Sequence, residues 1–444
     1  MSWRRPPGPS GLVAASGTTC PLSGDYFHHC IKTYCSLPSS SCQKLLAKEN
    51  TLSRITESTE PTDELAAGSE ATVREIAQQP EIWRKTVSLL AEANEYLQAF
   101  LAPLLRRPDL RILLTGAGTS AFVGSIAAPA LSRMLHRRVD AVATTDLVSN
   151  PLEFLAEDVP TLLVSLARSG DSPESVAATE LADQVLTDVS HLVLTCSEEG
   201  RLYRNHRERP KSCVFLMPPK ANDQGFAMTS SFTSMLLSCL LILGGPHDEK
   251  VQAMATAAER LVTSLQGPIR DIVSAGHDRV VFLGSGPLAG LARESALKLL
   301  ELTAGKVIAY HDTPLGFRHG PKAILNDKTL VLVYISSDPY TRTYDLDIIA
   351  ELNAALPAGN VIAISSGNVE EGQTHTWNLS ELSDLDDAFL APVYVLFAQL
   401  MGLAFSLHLG LTPDNPFPDG NVNRVVKGVR IHPLTPAENR RTGK

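Results

Sequence analysis

Hydrophobic residues in this chain gather in short unbroken runs, and amphipathic stretches separate them. Arg111–Thr115, Thr161–Ala167, His191–Thr195, Arg279–Leu283, Thr329–Ile335 and Asn360–Ser365 are such runs. Runs without a polar alternation predict strands covered on both faces, which is the pattern of parallel sheets. Between them, stretches such as Leu288–Leu302 carry helical spacing. Asp63–Leu105 is helical in pattern throughout, with Ile76, Ile82, Trp83, Val87, Leu90, Leu97 and Leu101 on an apolar face. Strands alternating with helices predict an α/β fold with helices on both faces of each sheet.

The pattern is also duplicated. ILLTGAG after Arg111 parallels VVFLGSG after Arg279 at an offset of 168 positions, and Thr161 and Thr329 open matching runs at the same offset. HLVLTCS from His191 parallels NVIAISS from Asn360 at an offset of 169. Each repeat closes on a long apolar helix, Met228–Gly244 and Ala391–Leu411. The expected architecture is therefore two tandem doubly wound parallel-sheet domains, three-layer αβα, at 95–250 and 268–415. A helical lead-in at 63–94 precedes them, and a tail at 416–444 follows. Ala391–Leu411 is long enough for a membrane span, but Gln399 and His408 interrupt it, so it reads as a buried core helix.

Residues 1–62 are rich in Ser, Thr, Pro and Gly without periodicity, and are expected to be a disordered tail or the product of an over-extended start. Cys20, Cys30, Cys35, Cys42, His28 and His29 lie there, but without the tight CxxC pairs of common zinc modules. Cys196, Cys213 and Cys239 lie in apolar runs and read as reduced core residues; with no signal peptide recognisable, the expected setting is cytoplasmic. A net charge of −9 gives no general affinity for nucleic acid, though it leaves room for a small anion.

Candidate chemistry collects at 279–321. A strand, a Gly284-Ser285-Gly286 turn and a helix present backbone N–H groups to an anion. On that helix Glu294, Lys298 and Glu301 are spaced i, i+4, i+7 and share one face, and a loop with His319 follows. The bland alternative is a solvated i,i+4 pair and a surface histidine. In the first repeat, Gly118-Thr119-Ser120 opens one helix, and Arg168-Ser169-Gly170-Asp171-Ser172-Pro173 opens another with hydroxyls, free amides and a guanidinium. A plain N-cap needs only one such hydroxyl. The matching loop of the second repeat, Ser336-Ser337-Asp338-Pro339, lacks the glycine, so phosphate binding is expected in repeat one and chemistry in repeat two. No metal cluster with ligand spacing is present in the sequence, and no cofactor is expected.

These motifs resemble a known family. GxGTS, SGxSxES, ESALKLLEL and GFRHGP are similar to the sugar isomerase (SIS) domain, here twice, and the pairing resembles the isomerase half of glucosamine-6-phosphate synthase. The run from Glu81 to Pro433, about four-fifths of the chain, includes TTDLVSNP, GFAMTSSFT, SDPYTR and NRVVKGVRIHP. It resembles still more closely the galactosamine-6-phosphate deaminases, also labelled tagatose-6-phosphate ketose/aldose isomerases. The resemblance implies roles. Glu301 shuttles a proton between C1 and C2, and Lys298 manages the O1 proton. His319 opens the sugar ring and serves the neighbouring subunit's site, while Lys427 reaches the open-chain sugar. Ser169, Gly170 and Ser172 hold the phosphate with help from Ser120, Gly118 and Thr119. The synthase has Ser-Gln where this chain has Ala167-Arg168, and an arginine there favours phosphate.

The implied reaction is conversion of galactosamine 6-phosphate to tagatose 6-phosphate and ammonia by a homodimer or higher homo-oligomer, with a sugar phosphate as the only ligand and neither nucleic acid nor membrane as partner. A simple aldose–ketose isomerase and a glucosamine-6-phosphate deaminase need the same groups. A non-catalytic sugar-phosphate sensor is the reading from another class; residues 1–110 show no basic helix-turn-helix to support a DNA-binding version.

Overall fold

The computed structural model describes residues 67–369, 374–426 and 428–435. The tail cysteines and histidines, and Lys427, lie outside the described residues. Ten helices of eight residues or more are described, and they are numbered here together with the strands. The helices α1 (Glu70–Ala77) and α2 (Gln79–Leu105) lead in. The first sheet follows, with β1 (Arg111–Thr115), α3 (Thr119–Leu135), β2 (Val139–Ala141), β3 (Thr161–Ala167), α4 (Pro173–Val185), β4 (Val189–Thr195), β5 (Ser212–Leu216) and α5 (Ser230–Gly244). The helices α6 (Asp248–Ser264) and α7 (Gln266–Ser274) bridge to the second sheet. That sheet brings β6 (Arg279–Gly284), α8 (Pro287–Leu302), β7 (Ile308–Asp312), β8 (Thr329–Tyr334), α9 (Pro339–Ala355), β9 (Val361–Ser365), β10 (His375–Asn378) and α10 (Asp387–His408).

Both sheets have five parallel strands, in the orders β2-β1-β3-β4-β5 and β7-β6-β8-β9-β10. The duplication extends to register, because Arg111 pairs Thr161 and Arg279 pairs Thr329, 50 residues apart in each case. The unbroken apolar runs are buried on both faces, as their composition requires. In β6 and β8, Val280, Phe282, Leu330 and Leu332 point into the main core with α8 and α10. Val281, Leu283, Val331 and Val333 point the other way, toward Phe317 and Ile348, Ile349 and Leu352 of α9.

One core cluster takes side chains from both sheets, and α3 and α8 meet inside it. They meet closely because α8 has Gly290 there: a Cβ at that position would lie 3.0 Å from the Ile126 backbone nitrogen. The apolar helix α10 is long enough to cross a membrane, but its most apolar window is 89% buried and packs as the core helix of the second sheet. Gly402 lets it pass against α8 beside Leu302 and the Lys298 carbonyl.

The strand-to-helix turns follow from two glycines each. Gly116 and Gly284 are needed because a Cβ would meet the following helix at 2.7 Å and 2.4 Å. Gly118 and Gly286 take φ of 55° and 54°, a region that side-chain-bearing residues avoid.

Candidate active site

Packing α8 against α3 carries the charged stripe of α8 to the carboxyl end of the first sheet. Glu294 and Lys298 are fully buried and Glu301 is partly exposed. The solvated-pair reading of this stripe therefore fails. Lys298 Nζ lies 2.6 Å from Glu301 Oε2 and 3.5 Å from Glu294 Oε1, and it donates to Thr119 Oγ1 at 3.1 Å. Thr119 belongs to the first repeat, so the two repeats join at this lysine.

The electrostatics follow from the burial. Desolvation pushes the Glu294 carboxyl up to about 8, with the Glu301 charge adding to it and Lys298 opposing it. Neither Glu294 oxygen has a hydrogen bond of good geometry, although Lys298 and Thr119 stand close enough to offset part of the burial. Desolvation works to lower Lys298, but the two carboxylates outweigh it and hold the amine above its ordinary value. A buried ammonium thus stands beside a partly exposed carboxylate, in a setting of low polarity that strengthens its field.

The loop after β3, the candidate anion cradle, serves as a cap in the structure. Gly170 has φ of 69°. Ser172 Oγ accepts from Ser175 N at 3.2 Å, an ordinary N-cap of α4, and Ser169 Oγ accepts from Asp171 N at 3.3 Å. Asp171 in turn accepts from Arg201 N at 3.0 Å, bracing the loop against the next turn. Ser120 is buried against Met235. Arg168 is only 6% exposed. Burial and the neighbouring Arg424 charge lower its pKa, while Asp223, Cys196 and Glu301 pull the other way. It therefore shares one electrostatic environment with the glutamate of α8. Its Nη2 donates to the Arg424 carbonyl at 2.9 Å, and its Nη1 has no partner.

His319 is placed elsewhere. Its turn packs Phe317 on the face of the second sheet opposite α8, and Arg318 donates to Glu351 of α9 at 2.7 Å. The second sheet stands between His319 and Glu301, and one chain does not bring them together. The imidazole itself is exposed.

Three further residues shape the site. Asp223 is fully buried and accepts from the N–H groups of Thr229, Ser230 and Ser231 at 2.8, 3.1 and 2.9 Å, closing the N-terminus of α5. Glu75 accepts from Gln224 N at 2.6 Å, and burial pushes its carboxyl up to about 7. Arg424 donates to the carbonyls of Asp223 and Gln224 at 2.8 and 2.7 Å. Sequence reasoning did not single them out. The GFAMTSSFT and NRVVKGVRIHP segments flank or contain two of them, and an aspartate two residues before the first was the available signal. In the second repeat the matching donors are already taken. Ser285 Oγ and Ser336 N bond Asp345, and Ser336 Oγ, Ser337 N and Ser337 Oγ bond Asp387.

Comparison with known proteins gives this geometry a family. The SIS domain model matches residues 104–243, the first repeat. The D-galactosamine-6-phosphate deaminase AgaS of Escherichia coli is 47% identical over 380 residues, covering 84% of this chain and 98% of the relative. The chain belongs to the D-galactosamine-6-phosphate deaminase family. A Streptomyces coelicolor relative that provisionally carries the same name is 57% identical over 368 residues, 82% of this chain and 95% of its own. The crystal structure of tagatose-6-phosphate ketose/aldose isomerase from Escherichia coli superposes with a TM-score of 0.77 at 43% identity, covering 83% of this chain and 98% of that one. Family membership and the paired parallel sheets agree with the resemblance carried by the motifs.

Proposed function

We propose that the chain is a cytosolic amino-sugar 6-phosphate deaminase that converts D-galactosamine 6-phosphate to D-tagatose 6-phosphate and ammonia. The observation that carries this is the Lys298–Glu301 pair, its lysine buried against the Thr119 turn, in a chain 43–57% identical to relatives of that name. In this reading the first repeat, 95–250, holds the phosphate through Gly118, Thr119, Ser120, Arg168, Ser169, Gly170 and Ser172. The second, 268–415, supplies the chemistry. Glu301 removes the C2 proton of the open-chain sugar and returns it to C1, while Lys298 protonates O1. The resulting C2 ketimine adds water and loses ammonia. Glu294 sets the charge of Lys298. Lys427, in the 416–444 tail, reaches the chain form of the sugar.

His319 opens the ring in the partner subunit's site. Its exposure and its place across the sheet from Glu301 support a homodimer or larger assembly. Mixing Glu301→Gln with His319→Asn chains then restores activity in hybrids, and no recovery after verified subunit exchange would refute the shared site.

The reaction is tested by ammonia release from galactosamine 6-phosphate and glucosamine 6-phosphate, beside isomerisation of galactose 6-phosphate. Ammonia is expected fastest from the galacto amino sugar. Isomerisation of galactose 6-phosphate without ammonia from either amino sugar would make the chain a plain isomerase.

A further inference from the structure

The described residues after α10, 409–426 and 428–435, run as an extended strap across the carboxyl end of the first sheet. Its near end is fastened well: Asp414 accepts from Ala71 N and Thr72 N at 3.0 and 2.7 Å, and Phe417 lies 5.1 Å from Phe226. Its far end is fastened at Leu434, whose carbonyl accepts from Gln184 at 3.0 Å. Between these, the described residues are held through Arg424, which donates to the Asp223 and Gln224 carbonyls and accepts from Arg168. Val422, Val426 and Val429 along this middle stretch stay 37–51% exposed.

Arg168 belongs to two structures at once. Its backbone opens the Ser169–Ser172 loop, and its side chain reaches the strap. A guanidinium is a planar fork whose two ends can serve different acceptors. One end, Nη2, takes the Arg424 carbonyl; the other, Nη1, is buried without a partner. The guanidinium also faces Arg424 closely enough for the two charges to repel, with Asp223 and Glu301 the nearby anions. A phosphate dianion in the loop relieves that repulsion and satisfies Nη1.

We propose that Arg168 is a positioning residue that ties phosphate binding to seating of the C-terminal strap: Nη1 takes the substrate phosphate while Nη2 keeps its hold on the Arg424 carbonyl, so that bound phosphate tightens the strap in the place it already occupies. This rests on the reading of the Arg168–Ser172 loop as the phosphate site. The strap is then tightened by the end of the substrate remote from C1 and C2, which places remote binding energy in the service of orientation. Because coupling is reciprocal, a loosened strap weakens phosphate binding by the factor with which phosphate tightens the strap.

The test uses the full chain with galactitol 6-phosphate, which has no carbonyl to react, and galactitol as the control without phosphate. Backbone hydrogen exchange is read over residues 419–426. In the parent, galactitol 6-phosphate is expected to slow exchange there at least about tenfold, and galactitol to leave it unchanged. Arg168→Gln raises the dissociation constant of galactitol 6-phosphate about 10- to 100-fold, and at saturation its strap exchanges as in the free protein. Arg168→Lys keeps a cation without the fork; it binds more tightly than the Gln variant but still does not protect the strap. If either variant, once saturated, protects the strap as the parent does, Arg168 is not the tie. If the parent binds galactitol 6-phosphate with no change in strap exchange, the coupling is wrong and the phosphate site survives. If galactitol and its phosphate bind the parent equally, the phosphate site itself is misassigned and the coupling falls with it.

Discussion

Lys298 keeps its proton although fully buried because two carboxylates face it, and that makes Glu294 the adjustable member of the trio. Replacing Glu294 with Gln removes one of the two groups that hold the amine high, so the Lys298 pKa falls. The alkaline limb of the kcat–pH profile is then expected to move to lower pH, whereas Glu294→Asp keeps most of it in place. A Glu294→Gln enzyme that loses rate but keeps its alkaline limb in place would show that the carboxyl acts through packing alone. Glu301→Gln is different in kind: kcat is expected to collapse with KM little changed, because in the proposed mechanism the lost group works only on the reacting carbons. Single-turnover measurements on galactosamine 6-phosphate separate the two.

At the scale of elements, the junction between α3 and α8 decides whether the trio reaches the first repeat. Gly290→Ala sets a methyl against backbone atoms of Ser125 and Ile126 that cannot turn aside. It is expected to lower stability by about 1–3 kcal/mol. It should also reduce kcat by parting Lys298 from Thr119, which thermal melts and initial rates check together. An unchanged melting temperature would mean that the helices already have slack. The strands, the duplication and the α8 stripe were legible because each leaves a local mark: unbroken apolar runs, a constant offset, charges at helical spacing next to a glycine turn. The junction was not, since Gly290 and Ile126 are 164 positions apart and neither residue type announces a contact. For the same reason the bond that the Thr119 hydroxyl accepts from Lys298 was not foreseeable. Asp223 and Arg424 stayed hidden because most of their partners are backbone groups, which have no signature in side-chain pattern. His319 was legible as a residue, and its separation from Glu301 emerged only with the two faces of the second sheet.

For the whole molecule, buried titratable groups set opposing pH trends. Burial raises Glu294 and Glu75 above the ordinary carboxylate value, to about 8 and about 7, so their contribution is complete at acid pH and is lost as pH rises toward those values. His206 runs the other way: burial, with His191 and Arg209 nearby, lowers it to about 4, so its contribution is present above pH 6.5 and is lost as pH falls toward 4. Melting temperature is expected to peak in mildly acidic buffer, and Glu75→Gln should flatten the alkaline side; a Glu75→Gln protein with the parent's alkaline slope would remove that group from the account. The duplication also has a numerical consequence. In the second crevice Asp345 and Asp387 already take the serine hydroxyl and amide donors of the turns, so that half carries its anion as part of its own covalent chain. A protein with two copies of the fold is therefore expected to titrate as one: calorimetry with galactitol 6-phosphate should give a single equivalent per chain. One half arrives pre-loaded and rigid, and only the other can report that substrate has come.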